Sequence, residues 1–325
     1  MRVAVLGAGA WGTALANLLC QNNHHVTLWG HDRSHLLELQ RVGCNQRFLP
    51  NIALSPKLQF QPVLSASMDQ CQCVVVAVPS KFFRQVTRQS PTFAGIAVSV
   101  TKGIEYETGL TMSGILRQTM PGATAAALSG PTFALEVARG IPAAIVAAHP
   151  QLEMARQVQS LFHGPAFRVY TSTDLPGVEL GGALKNVVAI AAGVGDGLGF
   201  GDNAKAALIT RAVVEVRRLG VACGACADTF SGLSGVGDLC ATCFSHLSRN
   251  RAFGERIGRG EKIDQILQTT FTVAEGYPTA RAAWQLARKH QVETPIVDEV
   301  YSMLYEQKNV GQALRDLMHR NVKEE

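Results

Sequence analysis

The sequence predicts two domains, an α/β domain with a mainly parallel sheet over residues 1–180 and an all-α domain over 181–325. Three observations predict this. A glycine-rich turn follows a short apolar strand at the N-terminus, strand-like and helix-like segments then alternate to about residue 180, and beyond that point only helical periodicity recurs. A chain of 325 residues is also too long for one ordinary core.

The first element is RVAVLGAGAWGTALANLL (2–19), an apolar strand that turns through Gly7, Gly9 and Gly12 and continues with helical spacing at Leu15, Leu18 and Leu19. This is G-x-G-x-x-G in its strand-turn-helix setting, the dinucleotide-binding arrangement of a Rossmann-like domain. Gly7 makes the tight turn, Gly9 lets the backbone reach a pyrophosphate, and Gly12 allows close helix packing, with the helix N-terminus facing the anion. The second strand, HHVTLWG (24–30), ends at His31, Asp32 and Arg33. The acid usual at this strand end is displaced here; Asp32 can still accept a ribose hydroxyl, whereas His31 and Arg33 suit a 2′-phosphate, so NADP(H) and NAD(H) both stay open, with a lean to NADP(H).

Further strands are expected at 73–78, 96–100, 125–128 and 143–147. Ligands of an open α/β sheet bind outside the carboxyl ends of its strands, which singles out AVPS (77–80), SVTKGIE (99–105) and LSGPTFALEVARGIP (128–142). Lys102 is a cation at such an end, able to hold a phosphate or hydrogen-bond a carbonyl oxygen. Gly130 and Thr132 offer backbone and hydroxyl contacts, with Pro131 stiffening the turn.

Helices are expected at 182–194, 204–220, 249–259, 276–290 and 295–306. Lys185 stands inside the apolar run GALKNVVAIAAGV (182–194). A lysine there either snorkels to the surface or sits in a polar pocket, where it can serve as a general acid or base. After this helix, Gly193, Gly195, Gly197, Gly199 and Gly201, interleaved with Asp196, Asp202 and Asn203, predict a loop whose backbone closely approaches another group. No Pro- or Ser-rich linker separates the domains, and a shared cleft is expected.

Composition narrows the class. With 47% hydrophobic residues, 17% charged residues and 31 glycines the chain is globular. The long apolar runs are broken by Lys185, glycine or proline, so no membrane span is expected. The glycines and tryptophan of the N-terminal run argue against a signal peptide, and a cytoplasmic location is expected. A net charge of +5 without a basic tract excludes a nucleic-acid binder and suits a small anionic substrate. Among eight cysteines, Cys223/Cys226 and Cys240/Cys243 form two C-x-x-C pairs thirteen residues apart, close to four-thiolate zinc spacing. Their alanine-rich, helix-following context favours buried thiols instead, and no metal is expected.

Together, GAGAWGTALA, LWGHD, VVVAVPS, TKGIE, LSGPTFALEVARGIPAA, ELGGALKNVVAIAAGVGDGLGFGDNAKAALITR, FSGLSGVGDLCATC, HLSRNRAFG and FTVAEG resemble the bacterial NAD(P)-dependent glycerol-3-phosphate dehydrogenase family, from the first residues to about 280. SGPTFA, LKN, GxGDL and SRNR in combination are far more specific than the glycine fingerprint. The resemblance implies reversible reduction of dihydroxyacetone phosphate to sn-glycerol 3-phosphate, feeding phospholipid synthesis. It implies Lys185 as proton donor and acceptor, with Lys102 and Asp238 beside it in catalysis. Lys102, Gly130, Thr132, Lys185, Asp238, Ser248, Arg249 and Asn250 become the substrate residues. Gly7, Gly9, Ala10, Trp11, Gly12, His31, Lys102, Ala134, Arg249, Val273 and Glu275 become the coenzyme residues. Thr132 stands where serine is common and keeps the hydroxyl.

Elementary chemistry is consistent with these roles. Hydride arrival puts negative charge on a ketone oxygen, which an ammonium stabilises and protonates. Asp238 would orient that ammonium. Arg249 between Ser248 and Asn250 suits a phosphomonoester, and the same trio also reads as a helix cap with a surface arginine. A β-hydroxyacid dehydrogenase of similar architecture and a non-catalytic dinucleotide- or zinc-binding module remain as alternatives. A two-fold homodimer is the base-rate expectation.

Overall fold

Short runs rich in valine, isoleucine and alanine build the first unit of the protein. The computed structural model describes residues 1–269 and 274–319 and divides into two units, Met1–Lys102 with Leu110–Glu179, and Gly103–Gly109 with Leu180–Glu325. In the first unit the strands are β1 (Arg2–Leu6), β2 (His25–Trp29), β3 (Cys44–Asn45), β4 (Leu49–Ala53), β5 (Gln59–Gln61), β6 (Cys73–Val76), β7 (Ile96–Ser99), β8 (Thr124–Ser129), β9 (Ala143–Ala148) and β10 (Phe167–Ser172).

Eight of them form one sheet in the order β10-β9-β8-β7-β6-β1-β2-β5, parallel at every step except β8 to β9. The register is regular: Val3 sits beside Val26 on one side and Cys73 on the other. Strands β6 and β7 are buried throughout, as expected of central parallel strands covered on both faces. Alternation sorts β1 between two cores, Val3 and Val5 facing Leu15 and Leu19, and Ala4 and Leu6 facing Val74, Val76 and Ile115. The carboxyl ends of β1, β2, β6, β7 and β8 consequently lie along one edge, where the sequence placed its candidate loops. The antiparallel β3–β4 hairpin, the edge strand β5 and the strand β10 were not expected.

The second unit is helical, built around Leu175–Gly197, Asp202–Ala222, Arg249–Gly258, Gly276–Lys289 and Pro295–Tyr305. Leu184, Val187, Val188 and Ile190 pack with Leu219, Phe253, Ala283 and Val300 in its core. The buried Glu215 accepts from the backbone N–H groups of Ile296 (2.9 Å) and Val297 (2.8 Å), capping the last of these helices where its donors would otherwise be orphaned.

One expectation is corrected here. Glycines 193 to 201 predict a loop, yet the helix runs on through Gly197. The close approach is real, but its partner is another helix. A Cβ on Gly193 would lie 1.9 Å from the Arg251 carbonyl oxygen and one on Gly197 2.3 Å from that of Glu255. Reciprocally, a Cβ on Gly254 would meet the Ile190 oxygen at 2.0 Å and one on Gly258 the Val194 oxygen at 2.3 Å. Backbone-to-backbone packing outweighs the low helix propensity of glycine.

The same helix, 23 residues long, is long and apolar enough to cross a membrane despite Lys185, contrary to the expectation that the lysine breaks the run. Its most apolar window is 94% buried inside the protein, the signature of a core helix.

Gly193→Ala should lower stability by about 3 kcal/mol or more, because neither backbone can yield, whereas Gly201→Ala, whose Cβ meets nothing within 4 Å, should change it little. Thermal denaturation of the two variants checks this.

Candidate active site

In the first unit the site begins at the glycine turn. Gly7 has φ of +126°, and a Cβ there would lie 2.7 Å from the Ala77 oxygen; a Cβ on Gly12 would lie 1.9 Å from the Gly7 oxygen. Both positions require glycine. Gly9 differs, since a Cβ there would meet no protein atom within 4 Å and would project into the space a ligand would take. It ends in the helix Ala10–Gln21, whose N-terminus has no side-chain cap, leaving backbone donors at Ala10, Trp11 and Gly12 to face an anion. The residues present therefore fit the pyrophosphate of a dinucleotide. Trp11 and Ala134 pack around Ala14, Leu49 and Ile52.

At the end of β2, His31 is exposed and Asp32 caps the helix Arg33–Val42, its Oδ1 accepting from the His35 N–H at 3.0 Å. That hydrogen bond holds the Asp32 carboxyl below the ordinary carboxylate range. Beyond β7, the Lys102 ammonium donates to the Gly130 carbonyl at 2.8 Å, and the Thr132 hydroxyl donates to the same oxygen at 3.1 Å. Gly130, with φ of +156°, allows this reversal where a Cβ would press on the Ile145 backbone at 3.0 Å. Lys102, Gly130 and Thr132 thus form one cluster after β7 and β8.

In the second unit Lys185 is 7% exposed in the middle of the Leu175–Gly197 helix. Its ammonium forms a salt bridge with Asp238 and donates to the Thr242 hydroxyl at 2.6 Å; that hydroxyl in turn donates to the Asp238 carbonyl at 2.6 Å. Local sequence explains the meeting. Leu233–Gly237 forms a π-helical turn containing Gly235 with φ of −98° and ψ of −108°. It lies against Gly181, whose Cβ would come 2.5 Å from the Ser234 oxygen. This delivers Asp238, the first residue of the helix Asp238–Phe244, to Lys185, and Thr242 follows one turn later. Thr242 escaped the sequence reading, although its i+4 spacing from Asp238 was the available signal.

Beside Lys185, Asn186 accepts through Oδ1 from the Asn250 amide at 2.8 Å, and Asn250 Oδ1 accepts from the Gly276 N–H at 2.8 Å. Ser248 caps the helix Arg249–Gly258 by accepting from the Arg251 N–H at 3.2 Å. Of the trio only Arg249 is exposed, so the helix-cap reading holds for Ser248 while Asn250 ties three segments together. Protein atoms crowded around Arg249 lower its pKa despite its contact with solvent, and the charge of Glu275 opposes that shift. Val273 lies outside the described residues.

Comparison with known proteins follows this geometry. The profile of the NAD-dependent glycerol-3-phosphate dehydrogenase N-terminus matches residues 2–155, and that of the same family's C-terminus matches 174–315. The chain belongs to this family. A protein of Citrifermentans bemidjiense named glycerol-3-phosphate dehydrogenase (NAD(P)+) is 47% identical over 330 residues, covering 100% of this chain and 98% of that one. The crystal structure of glycerol-3-phosphate dehydrogenase from Coxiella burnetii has a TM-score of 0.94 and 36% identity, covering 98% of this chain and 99% of that one. A Plasmodium falciparum glycerol-3-phosphate dehydrogenase structure, 18% identical with a TM-score of 0.88 over 100% of this chain and 97% of that one, shows the shared fold.

The cysteines of this family member do not assemble. Among the described residues no group of three or more His, Cys, Asp or Glu side chains could hold a metal ion. Cys223 and Cys226 flank the turn after the helix Asp202–Ala222, while Cys240 and Cys243 lie within Asp238–Phe244. Burial pushes the Cys243 thiol from 9.0 to about 12.

Two outcomes follow for the thiols. At pH 8 an alkylating reagent should label the exposed Cys226 and spare Cys243 in the folded protein, which peptide mapping checks. Because folding raises the Cys243 pKa, its contribution is complete below about pH 9 and is lost toward pH 12, at up to about 1.4 kcal/mol per pH unit. Denaturant titrations of wild type and Cys243→Ala should diverge in that slope only above about pH 9.

Proposed function

We propose that this chain catalyses the reversible NAD(P)-dependent reduction of dihydroxyacetone phosphate to sn-glycerol 3-phosphate. The observation that carries the reading is the buried Lys185, held by Asp238 and Thr242 among the apolar neighbours Leu184, Val187 and Leu239 of a family member. Asp238 and Thr242 together fix the position and orientation of the Lys185 ammonium. That is the requirement for delivering a proton to a developing carbinol oxygen and recovering it in the reverse reaction. Asp238 balances the ammonium charge in a place where an unpaired charge would be expensive to bury.

The bound coenzyme supplies the hydride. The protein's own part is divided by domain, residues 1–180 as dinucleotide-binding domain and 181–325 as substrate and catalytic domain. The Gly7–Gly12 backbone holds the pyrophosphate, with Trp11, His31, Ala134, Val273 and Glu275 as further coenzyme residues. Lys102, oriented by the Gly130 carbonyl, supplies a second positive charge for the substrate, and Thr132 a hydroxyl. Arg249 offers a planar guanidinium to the phosphate, supported by Ser248 and Asn250. The product would feed glycerophospholipid synthesis in the cytoplasm, with the enzyme working as a two-fold homodimer.

Loss of NADPH or NADH absorbance with dihydroxyacetone phosphate tests this directly. Lys185→Ala, checked for folding by circular dichroism, should reduce kcat by about 100- to 10,000-fold. Gly9→Val should keep the fold and raise the coenzyme KM, since only ligand space is filled. A folded wild type that oxidises neither coenzyme would overturn the reading.

A further inference from the structure

The β3–β4 hairpin has no part in the chemistry described so far, yet it is wired to the glycine turn. Asn45, fully buried, donates through Nδ2 to the Ala8 carbonyl (3.1 Å) and the Thr13 hydroxyl (2.8 Å), and its Oδ1 accepts from the Phe48 N–H (3.2 Å). At the hairpin's far end, Asn17 donates to the Ala53 carbonyl at 3.0 Å and accepts from the Ser55 N–H at 2.7 Å. Leu49 and Ile52 pack against Ala14 and Trp11. The turn between β3 and β4 is therefore held in fixed register with the Gly7–Gly12 backbone.

That turn presents Arg47 to the end of β2. The guanidinium lies over the Phe48 ring at 4.9 Å, and Phe48 is itself braced edge-on by the buried His35 ring at 5.4 Å and 88°. Arg47 Nη1 is 3.7 Å from Asp32 Oδ2, with the two side chains 57% and 41% exposed. The other Asp32 oxygen is occupied by the His35 N–H. The carboxylate placed where a dinucleotide fold reads the adenosine ribose is thus capped on one oxygen and charge-balanced on the other. An exposed ion pair at this distance is weak, because water and salt screen it. A phosphate monoester offers the guanidinium a stronger, bidentate partner.

We propose that Arg47 is a specificity-determining residue that admits the adenosine 2′-phosphate, an inference that rests on the dinucleotide reading of the Gly7–Gly12 turn. With a 2′-hydroxyl coenzyme Arg47 stays on Asp32. With a 2′-phosphate it turns to the phosphate while still screening Asp32, whose bare charge would repel that group. The exposed Arg33 adds to the positive field.

The test compares wild type, Arg47→Gln, Asp32→Asn and the double variant; asparagine keeps the helix cap while removing the charge. Two readouts are taken: the NADPH-to-NADH ratio of kcat/KM, and calorimetric binding of 2′,5′-ADP against 5′-AMP without turnover. Arg47→Gln should lower the ratio by about tenfold or more, through KM rather than kcat, and remove the preference for 2′,5′-ADP. Asp32→Asn should restore part of that loss in the double variant. Equal effects on both coenzymes, or no effect, would overturn the role of Arg47, as would a wild type that does not prefer 2′,5′-ADP. Absence of turnover by wild type would instead overturn the dehydrogenase reading, leaving the calorimetry to judge Arg47 alone.

Discussion

A buried charged pair, Lys185 with Asp238, is the constraint on which the second unit depends. Desolvation of two ions consumes much of their mutual attraction, so an apolar pair of similar volume would serve the stability of a protein core as well or better. Removing only one partner would strand the other. The pair therefore has to be assembled together, and the surrounding sequence is shaped to do so. Gly181 and Gly235 let the π-helical turn come close, and the helix that follows starts on Asp238. Thr242 then closes the arrangement by donating its hydroxyl hydrogen bond to the backbone carbonyl of Asp238.

The first unit answers a different demand, the approach of an anion to bare backbone. Its central strands are apolar on both faces, so the polar work is confined to their carboxyl ends. There the devices are a glycine turn without an N-cap, a lysine held on a carbonyl, and a hairpin stitched down by two asparagines. Each is a backbone contact made possible by a missing side chain or by a short polar one.

Much of this was legible in the sequence because it depends on local pattern. Gly7, Gly9 and Gly12 follow a strand and open a helix, six apolar runs became sheet strands, and Lys185 stood out against its apolar neighbours. What was missed depends on partners distant in the chain. Cys44–Asn45 is too short to show alternation, Pro50 interrupts the strand that pairs with it, and Gln59–Gln61 has Phe60 as its one apolar residue. The glycines from 193 to 197 read as a loop because their helical role exists only against Gly254 and Gly258. Thr242 and Arg47 acquire meaning from Lys185 and Asp32, more than fifty residues away for the first and beyond the helix Arg33–Val42 for the second.

The glycine contact between Leu175–Gly197 and Arg249–Gly258 carries one more consequence. One helix bears Lys185 and the other begins at Arg249, and their backbones touch with no side chain between them to compress or swing. The Asn186–Asn250 bond crosses the same seam. The backbone positions of Lys185 and Arg249 are thereby fixed relative to each other by main-chain contact, leaving only their own side chains to vary the interval between ammonium and guanidinium. Under the proposed chemistry, molecules would be sorted by the reach from carbonyl to phosphate, and a homologue one carbon longer would be refused for its span even though it carries the same functional groups.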